Sequence, residues 1–399
     1  MISVEEAQQR VMAEVAAGDV EHVPLDDTLG RVLREKVVAA HDSPAADNSA
    51  MDGYAVRAED IAGAPVTLPV RGDIPAGHPA ATPLEPGTAM RIMTGAFVPE
   101  GADTVIRVEL TDGGLERVTI ARALPRGASI RHRGEDMHAG DVLLREGIRI
   151  GPAEIALLAG AGKTRVCVGR RPTVAILSTG DELLDAGDAP SPGKIVNTNA
   201  HLLAALVIEA GAIARPFGIV RDTREATIAA FDRAAECDFV ISSGGVSVGA
   251  YDFVKDALHA LGAESKFWQV SMKPGKPVVL SRLRDRLVFG LPGNPVSCFV
   301  SFHLFVAPAL RKALGQQVRL FPPSVRARLT APVRGAAERR VYARVHVAAQ
   351  DGALLATPLR SQSSGALTSM LDANGLAVVP EGTERVADEI DVLLIGPVG

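Results

Sequence analysis

The pattern of hydrophobic and polar positions changes twice in the first 170 residues. Residues 1–45 favour a helix followed by extended chain, whereas residues 46–146 contain short apolar segments separated by Gly, Pro and Asp. Such spacing is typical of a β-rich module with its own small core. The next apolar stretch, 151–162, has Pro152 near its start and Gly162 near its end, which predicts a helix. Because the chain then becomes helical again, we predict that 46–146 is inserted into a helical and linker domain formed by 1–45 and 147–170.

Strand-like and helix-like segments alternate from residue 171 to residue 316. Strands are predicted at PTVAILS, ARPFGIV, DFVIS and RLVFG, with amphipathic or apolar helical segments between and after them. This alternation predicts right-handed βαβ units on a doubly wound parallel sheet. Residues 317–399 again show short β segments and predict a C-terminal β domain. The predicted class is therefore a multidomain α/β protein.

Composition and charge argue against several classes of protein, namely those that bind nucleic acid, span a membrane or contain structural zinc. The chain of 399 residues is 47% hydrophobic and 22% charged, which is ordinary for a globular protein, and its net charge is −5. That charge gives no support for binding to nucleic acid or to an anionic membrane. No apolar run approaches the ~20 residues of a transmembrane helix, and the acidic N-terminus does not resemble a signal peptide. Three cysteines without metal-ligand spacing indicate a cytoplasmic protein with no structural zinc.

The loops that follow the predicted parallel strands carry unusual residues. Since ligands bind beyond the carboxyl ends of such strands, we expect these loops to line one crevice. The segment SSGGVSVGAYD, 242–252, contains Gly244, Gly245 and Gly249, which permit positive φ and inward-pointing N–H groups. Together with the helix that follows, they predict an anion cradle suited to phosphate. The alternative is a tight strand–helix turn without a ligand.

Three acidic residues, Glu182, Asp222 and Asp252, follow three of these strands. Converging carboxylates are unfavourable unless a cation lies between them. Mg²⁺ prefers oxygen ligands and bridges to phosphate, so the three acids predict a magnesium site. The alternative is that each acid complements the dipole of a helix N-terminus.

Two lysines, Lys273 and Lys276, lie in the stiff segment MKPGKP and predict a second site, for an oxyanion or phosphate. A solvated loop is the alternative. In the β-rich module, Asp52, Thr94 and Asp136 occur in Gly-containing turns, and by themselves they predict only turns.

Seven motifs occur together and in order: NSAMDGYA, RIMTGAFVPEGADTVI, RGED, STGDEL, SSGGVSVGAYD, MKPGKP and LPGNPVS. In this combination the chain resembles the molybdopterin molybdenumtransferase family, which includes the E domain of gephyrin. The resemblance implies an elongated homodimer of four domains per chain, with a central molybdopterin-binding domain of doubly wound fold. It also implies a Mg²⁺-dependent reaction in which molybdate replaces the adenylyl group of adenylylated molybdopterin and AMP is released.

The resemblance also implies roles for individual residues. Asp52, Thr94 and Asp136 would act across the dimer, and Arg344 and Ser364 would complete the molybdate site from the C-terminal domain, where several arginines are available. The implied catalytic residues are Glu182, Asp222, Asp252, Lys273, Lys276, Asp52, Thr94 and Asp136. The implied substrate-binding residues are Ser243, Gly244, Gly245, Val246, Ser247, Gly249, Thr179, Gly180, Pro292, Gly293, Asn294, Pro295, Ser297, Arg344 and Ser364.

The implied partners are adenylylated molybdopterin, molybdate and a second copy of the chain. A molybdopterin adenylyltransferase and the recipient molybdoenzymes are further candidate partners. Two other functions share features with this resemblance. The central fold permits a molybdopterin adenylyltransferase, although the long β module and the C-terminal domain argue against one. The gephyrin E domain also suggests a non-catalytic scaffold, but this chain lacks the long linker and the adenylyltransferase domain of that fusion.

Overall fold

A computed structural model describes residues 1–246 and 253–399 of the chain. Three predicted site residues, Ser247, Gly249 and Asp252, therefore lie outside the described residues. Contacts within the chain are concentrated in two compact units. The first comprises Met1–Glu35, Glu146–Pro152 and Arg165–Gly399, and the second comprises Lys36–Arg145 and Ala153–Thr164. The finer division into four domains stays a prediction.

A mixed six-stranded sheet forms the centre of the first unit. Its first four strands run parallel, and the last two are antiparallel to their neighbours. The predicted α/β class is thus confirmed, but the sheet is not parallel throughout. In spatial order the strands are Ile213–Val220, Thr173–Thr179, Phe239–Ser243, Arg286–Leu291, Val279–Leu283 and Glu264–Phe267.

Helices cover both faces of this sheet. Val174 and Ile176 contribute to the core on one face, and Ala175 and Leu177 contribute to the core on the other, as the two-residue period of a strand requires. Because both faces are buried, the central strands are almost continuously apolar. The first face is covered by Val4–Glu14, Thr198–Glu209 and Pro295–Ala313, and the second by Arg224–Ala234 and Phe253–Ala260.

The helix Pro295–Ala313 is long and apolar enough to cross a membrane, judged by length and composition alone. This corrects the expectation that no apolar segment approaches that length. Its most apolar window is 83% buried inside the protein, which is the behaviour of a core helix. A π-helical segment, Phe302–Val306, separates its two α-helical parts, Pro295–Ser301 and Ala307–Ala313.

The C-terminal part of the first unit is a β domain, as the sequence predicted. Five of its strands pair in a closed ring, and the short strand Met272–Lys273 pairs in parallel with the longest of them. This pairing fixes the lysine loop against the C-terminal domain. In order around the ring the strands are Arg340–Gln350, Ala353–Pro358, Ser324–Leu329, Glu389–Leu394 and Gly375–Val379. Three short pairs complete the unit: Val20–Pro24 with Arg165–Gly169, Leu183–Leu184 with Ile195–Val196, and Val333–Arg334 with Arg385–Val386.

The second unit is β-rich and has its own core. Tyr54, Ile61 and Ile106 are fully or almost fully buried in it. The helix Pro152–Gly160 belongs to this unit from its second residue onwards. The five strands of the main sheet, in spatial order, are Thr104–Arg107, Gly53–Val56, Ala89–Ile92, Val66–Ile74 and Arg117–Ile120. The shorter strands are Asn48–Ser49 with Ile130–Arg131, and Val37–Val38 with Val142–Leu144.

A carboxylate fixes the amino-terminal edge of the central sheet. Asp238 accepts two hydrogen bonds from Arg170, at 3.1 and 3.0 Å, and two from the backbone N–H and hydroxyl of Thr173, at 2.8 and 2.9 Å. Burial would raise the pKa of Asp238, but these hydrogen bonds outweigh burial and lower it. Thr173 is the first residue of one strand, and Asp238 directly precedes the first residue of the adjacent strand. The carboxylate therefore holds those two strands in register.

We expect Asp238→Ala to lower the free energy of unfolding by about 2–3 kcal/mol, because four charge-assisted hydrogen bonds are lost. The matched control is Asp232→Ala, which breaks a solvent-exposed pair with Arg284 and should cost less than about 1 kcal/mol. Because the pKa of Asp238 is lower in the folded state, its contribution to the free energy of unfolding is fully present above the unfolded-state pKa of about 3.9. That contribution is lost as the pH falls through the folded-state pKa. Urea denaturation at a series of pH values measures both effects, and equal losses in the two variants would contradict the role of Asp238.

Candidate active site

Three adjacent parallel strands end at the same edge of the central sheet. Ser178 lies opposite Ser243 in one pair of strands, and Ser243 lies opposite Leu291 in the next. The loops that leave these strands are therefore neighbours, as expected for the carboxyl edge of a parallel sheet. This register, rather than any single motif, brings the predicted crevice together.

A pocket of about 690 Å³ lies at this edge. Its size is within the range of small-molecule sites. Most predicted residues of the strand-end loops line it, whereas the predicted Ser247, Gly249 and Asp252 fall outside the described residues. The predicted residues in its walls are Thr179, Gly180, Glu182, Asp222, Ser243, Gly244, Gly245, Val246, Pro292, Gly293, Asn294 and Pro295.

Glycine is required at the start of the loop after Ser243. Gly244 and Gly245 have φ values of 89° and 64°, in the left-handed region that L side chains rarely adopt. A Cβ at Gly244 would lie 2.7 Å from the carbonyl oxygen of Thr179, and a Cβ at Gly245 would lie 2.7 Å from the Thr179 hydroxyl. The backbone of this loop is thus closely packed against the neighbouring strand end.

A buried amide that the sequence analysis did not select connects two of the loops. Asn199 is 7% exposed, and its Nδ2 donates to Ser243 Oγ and to the carbonyl oxygen of Gly293, both at 2.7 Å. Its Oδ1 is buried without a hydrogen-bond partner, as is the hydroxyl of Thr179. Both residues line the pocket, so these two buried, unpaired atoms lie in its wall. The sequence signal was the pair of asparagines at the start of this helix, of which Asn197 is the N-cap.

Acidic residues supply all the charged side chains in the described walls of this pocket, namely Glu182 and Asp222. Asp181 and Asp222 also exchange hydrogen bonds, each carboxylate accepting from the other's backbone N–H at 3.2 Å. Hard carboxylate oxygens of this kind fit Mg²⁺. Among the described residues no group of three His, Cys, Asp or Glu side chains is arranged to hold a metal. Asp252, the third predicted ligand, is not among them.

A second pocket, of about 820 Å³, lies where the central domain meets the C-terminal domain. The predicted residues Lys273, Lys276, Ser297 and Ser364 line it. The sequence analysis did not select three further wall residues, Arg334, Arg339 and Arg360. The described walls thus carry five cationic side chains and no carboxylate, and no ion pair with a described residue neutralises any of the five. This pocket is built to receive an anion.

Arg344 lies behind this second pocket and lines neither cavity. It is fully buried, and its Nη2 donates to the carbonyl oxygens of Ser361 and Ser363 at 2.8 and 3.2 Å. Its Nε and Nη1 have no hydrogen-bond partner. Burial lowers the pKa of Arg344 to about 10, so the side chain remains charged at neutral pH. The structure therefore places Arg344 under the loop that carries Ser364, with part of its guanidinium unpaired.

The two pockets adjoin each other. Both are lined by Pro277, Pro292 and Asn294. Asn294 Nδ2 donates to Ser364 Oγ at 3.1 Å, and the N–H of Val296 donates to the carbonyl oxygen of Ser364 at 3.1 Å. These bonds attach the C-terminal loop to the strand-end loop, so that an acidic pocket and a basic pocket share one wall.

The second unit contains the other three predicted residues. The carboxylate of Asp52 accepts hydrogen bonds from the N–H and the hydroxyl of Thr94, at 2.7 and 2.8 Å, and these bonds lower the pKa of Asp52. The structure thus brings Asp52 and Thr94 together on the surface of this unit. Asp136 is exposed, and its carboxylate forms no hydrogen bond or ion pair with either of them.

The mixed sheet, with its loops gathered at one carboxyl edge, defines an α/β protein of the class that binds small ligands at that edge. Three family models match the chain: "MoeA N-terminal region (domain I and II)" over residues 2–162, "Probable molybdopterin binding domain" over 175–312 and "MoeA C-terminal region (domain IV)" over 326–395. The chain belongs to the molybdopterin molybdenumtransferase family, as its sequence motifs predicted, and so to the transferases of molybdenum cofactor biosynthesis.

Individual relatives agree with this assignment. A molybdopterin molybdenumtransferase from Bacillus subtilis is 41% identical over 409 residues, which cover 99% of this chain and 94% of that protein. Molybdopterin molybdenumtransferase 2 from Mycobacterium tuberculosis is also 41% identical, over 397 residues and 97% of each chain. The crystal structure of a molybdopterin biosynthesis protein from Pyrococcus horikoshii OT3 matches with a TM-score of 0.85 at 30% identity, covering 99% of this chain and 100% of that one.

We expect Asn199→Asp to loosen the crevice, because a carboxylate has the shape of the amide but cannot donate to Ser243 and Gly293. The loss should lower the free energy of unfolding by about 1–3 kcal/mol. Hydrogen exchange should increase locally at the N–H groups of Gly244 and Val296, which donate to Leu291 and Ser364 at these loops, ahead of the rest of the central sheet. Asn197→Asp is the matched control, because a carboxylate can still accept the N-cap hydrogen bond from Ala200. Unchanged exchange at Gly244 and Val296 in the Asn199 variant would contradict the role of Asn199 in holding the two loops together.

Proposed function

We propose that this protein inserts molybdate into adenylylated molybdopterin with release of AMP. The observation that carries the proposal is the pair of adjoining pockets, one acidic and one basic, that share Pro277, Pro292 and Asn294. A reaction between a phosphoanhydride and an oxyanion needs two such environments side by side. The names of the relatives support the same reaction.

The acidic pocket is suited to the adenylylated pterin. The loop around Gly244 and Gly245 would accept the pterin phosphate through backbone groups, and Asn199 would hold this loop in place. Glu182 and Asp222, with Asp252 from the segment 247–252, would hold Mg²⁺. When bound there, Mg²⁺ would polarise the phosphoanhydride and neutralise charge as AMP leaves.

The basic pocket is suited to molybdate, a tetrahedral dianion. Lys273 and Lys276 would supply charge, and Ser297 and Ser364 would supply hydroxyl donors. The unpaired Nε and Nη1 of Arg344 support this assignment, because a buried guanidinium whose hydrogen bonds are incomplete is stabilised by a nearby anion.

The proposal includes a homodimer in which Asp52, Thr94 and Asp136 of one chain act at the site of its partner. The family resemblance supports this idea; the three residues belong to a different compact unit from the residues that line the two pockets. We also infer a cytoplasmic location, which is supported by the small number of cysteines, three in 399 residues, and by their lack of metal-ligand spacing. A molybdopterin adenylyltransferase would be the supplier of substrate, and molybdoenzymes would be the recipients of product.

The reaction can be tested directly with purified protein and adenylylated molybdopterin. We expect AMP release that requires both molybdate and Mg²⁺, together with activation of an apo-molybdoenzyme. Asp222→Ala should abolish release, because the acidic pocket loses one of its two described carboxylates, whereas Asp232→Ala, at an exposed position of the helix Arg224–Ala234, should not. Release of pyrophosphate from ATP in the presence of bare molybdopterin would instead favour an adenylyltransferase. Full activity of Asp222→Ala would remove the metal-site assignment.

We expect Lys276→Met to raise the KM for molybdate by about ten-fold or more, since a charge-assisted contact to a dianion is worth about 1.5–3 kcal/mol. The KM for adenylylated molybdopterin should change little, because Lys276 lines only the basic pocket. Lys36→Met, in the second unit, is the charge-matched control. Steady-state kinetics with each substrate varied in turn makes the measurement, and an equal rise in both KM values would argue against separate pockets.

A further inference from the structure

A third pocket, of about 340 Å³, lies in the first unit and shares no wall residue with the two pockets of the active site. It is formed where the helices Thr198–Glu209 and Pro295–Ala313 meet the segment 316–323 and the end of the strand Glu389–Leu394. Its volume is at the lower end of the range for small-molecule sites.

Cationic side chains dominate the charge of this pocket. Arg149, Arg311 and Arg319 line it together with a single carboxylate, Glu209. None of the three arginines forms an ion pair with Glu209 or with any other described acidic residue. Burial and the neighbouring Arg149 lower the pKa of Arg311, while Glu209 raises it to a smaller extent. Like charges held around one cavity are unfavourable until an anion binds between them.

A histidine with a buried, unpaired nitrogen lies in the wall of the same cavity. His303 is 7% exposed, lines the pocket, and its Nε2 has no hydrogen-bond partner. Burial, and then Arg311, lower the pKa of His303 to about 4, so that the ring is neutral at physiological pH. The unpaired nitrogen of this neutral ring needs a hydrogen-bond partner, and a ligand could supply one. His303 also lies in the π-helical segment Phe302–Val306, and such segments are frequent at functional sites.

The remaining walls are apolar and ordered. Phe302, Phe321 and Ile395 line the pocket, and Arg311 donates to the carbonyl oxygen of Leu320 at 2.8 Å, which fixes the segment that carries Arg319. A site with several guanidinium groups at a largely apolar cavity selects an anion with a compact apolar body.

We propose that this third pocket binds a small organic anion in which a carboxylate or phosphate group is attached to a compact apolar body. The arginines would bind the anionic group, His303 Nε2 would form a hydrogen bond, and the aromatic and aliphatic walls would cover the apolar part. This site is separate from the proposed molybdate and pterin pockets and does not depend on their function.

The experiment uses phenyl phosphate, benzoate and inorganic phosphate as probes, with titration calorimetry on the full chain. We expect saturable binding of phenyl phosphate or benzoate that is at least ten-fold tighter than that of inorganic phosphate. Arg319→Gln should weaken binding about ten-fold, and Arg319→Lys, which keeps the charge, should retain most of it. Arg319 is exposed and its guanidinium has no hydrogen-bond partner among the described residues, so this substitution preserves the fold.

Two controls assign the binding to this pocket. Arg328→Gln removes an equal charge from an exposed strand of the same unit and should leave the affinity unchanged. Lys276→Met alters the basic pocket of the active site and should also leave it unchanged. Loss of binding in Lys276→Met with none in Arg319→Gln would overturn the proposal, because the probe would then occupy the active site. No saturable binding, or binding of inorganic phosphate as tight as that of the organic probes, would overturn it as well.

Discussion

The parallel register of the three central strands is the constraint on which the site depends. Ser178, Ser243 and Leu291 lie in line across the sheet, so the loops that follow them emerge together. At the opposite edge, Asp238 accepts hydrogen bonds from Thr173 and Arg170 and fixes where two of the strands begin. A slip of one residue would exchange the two faces of a strand and would bury its loop residues differently. The chemistry at the carboxyl edge therefore rests on packing and hydrogen bonds about one strand length away.

The separation of charge between the two adjoining pockets has a physical consequence. Carboxylates in one pocket would repel a phosphate unless a cation were present, whereas lysines and arginines in the other attract a dianion from solution. Between them stand Pro277, Pro292 and Asn294, of which the two prolines have no side-chain charge and little conformational freedom. A stiff, uncharged wall keeps opposite charges from collapsing into ion pairs with each other. The polar groups of both pockets thus remain available to substrates.

One helix connects distant parts of this unit. Pro295 and Ser297, at the start of Pro295–Ala313, line the active-site pockets, while His303 and Arg311 line the third pocket further along. The helix is almost wholly buried, so a ligand at either end contacts the same rigid element of the core. The π-helical segment between the two ends interrupts the regular hydrogen-bond pattern where His303 lies. The third pocket and the two adjoining pockets therefore share this helix as a common wall element.

From the sequence alone we predicted the order of most strands and helices and the β-rich character of the two flanking regions. We also predicted the loops that carry glycines, carboxylates and lysines. Each of these features depends on local periodicity or on turn chemistry. It did not assign the edge strands Val279–Leu283 and Glu264–Phe267, since short strands beside a stiff loop have little periodic signal. Only the tertiary structure selected Asn199 as a clamp, placed Arg344 beneath a loop, and added Arg334, Arg339 and Arg360 to the basic pocket. Those outcomes depend on contacts between segments far apart in the chain, and a residue's type and neighbours in sequence do not specify which distant side chains surround it.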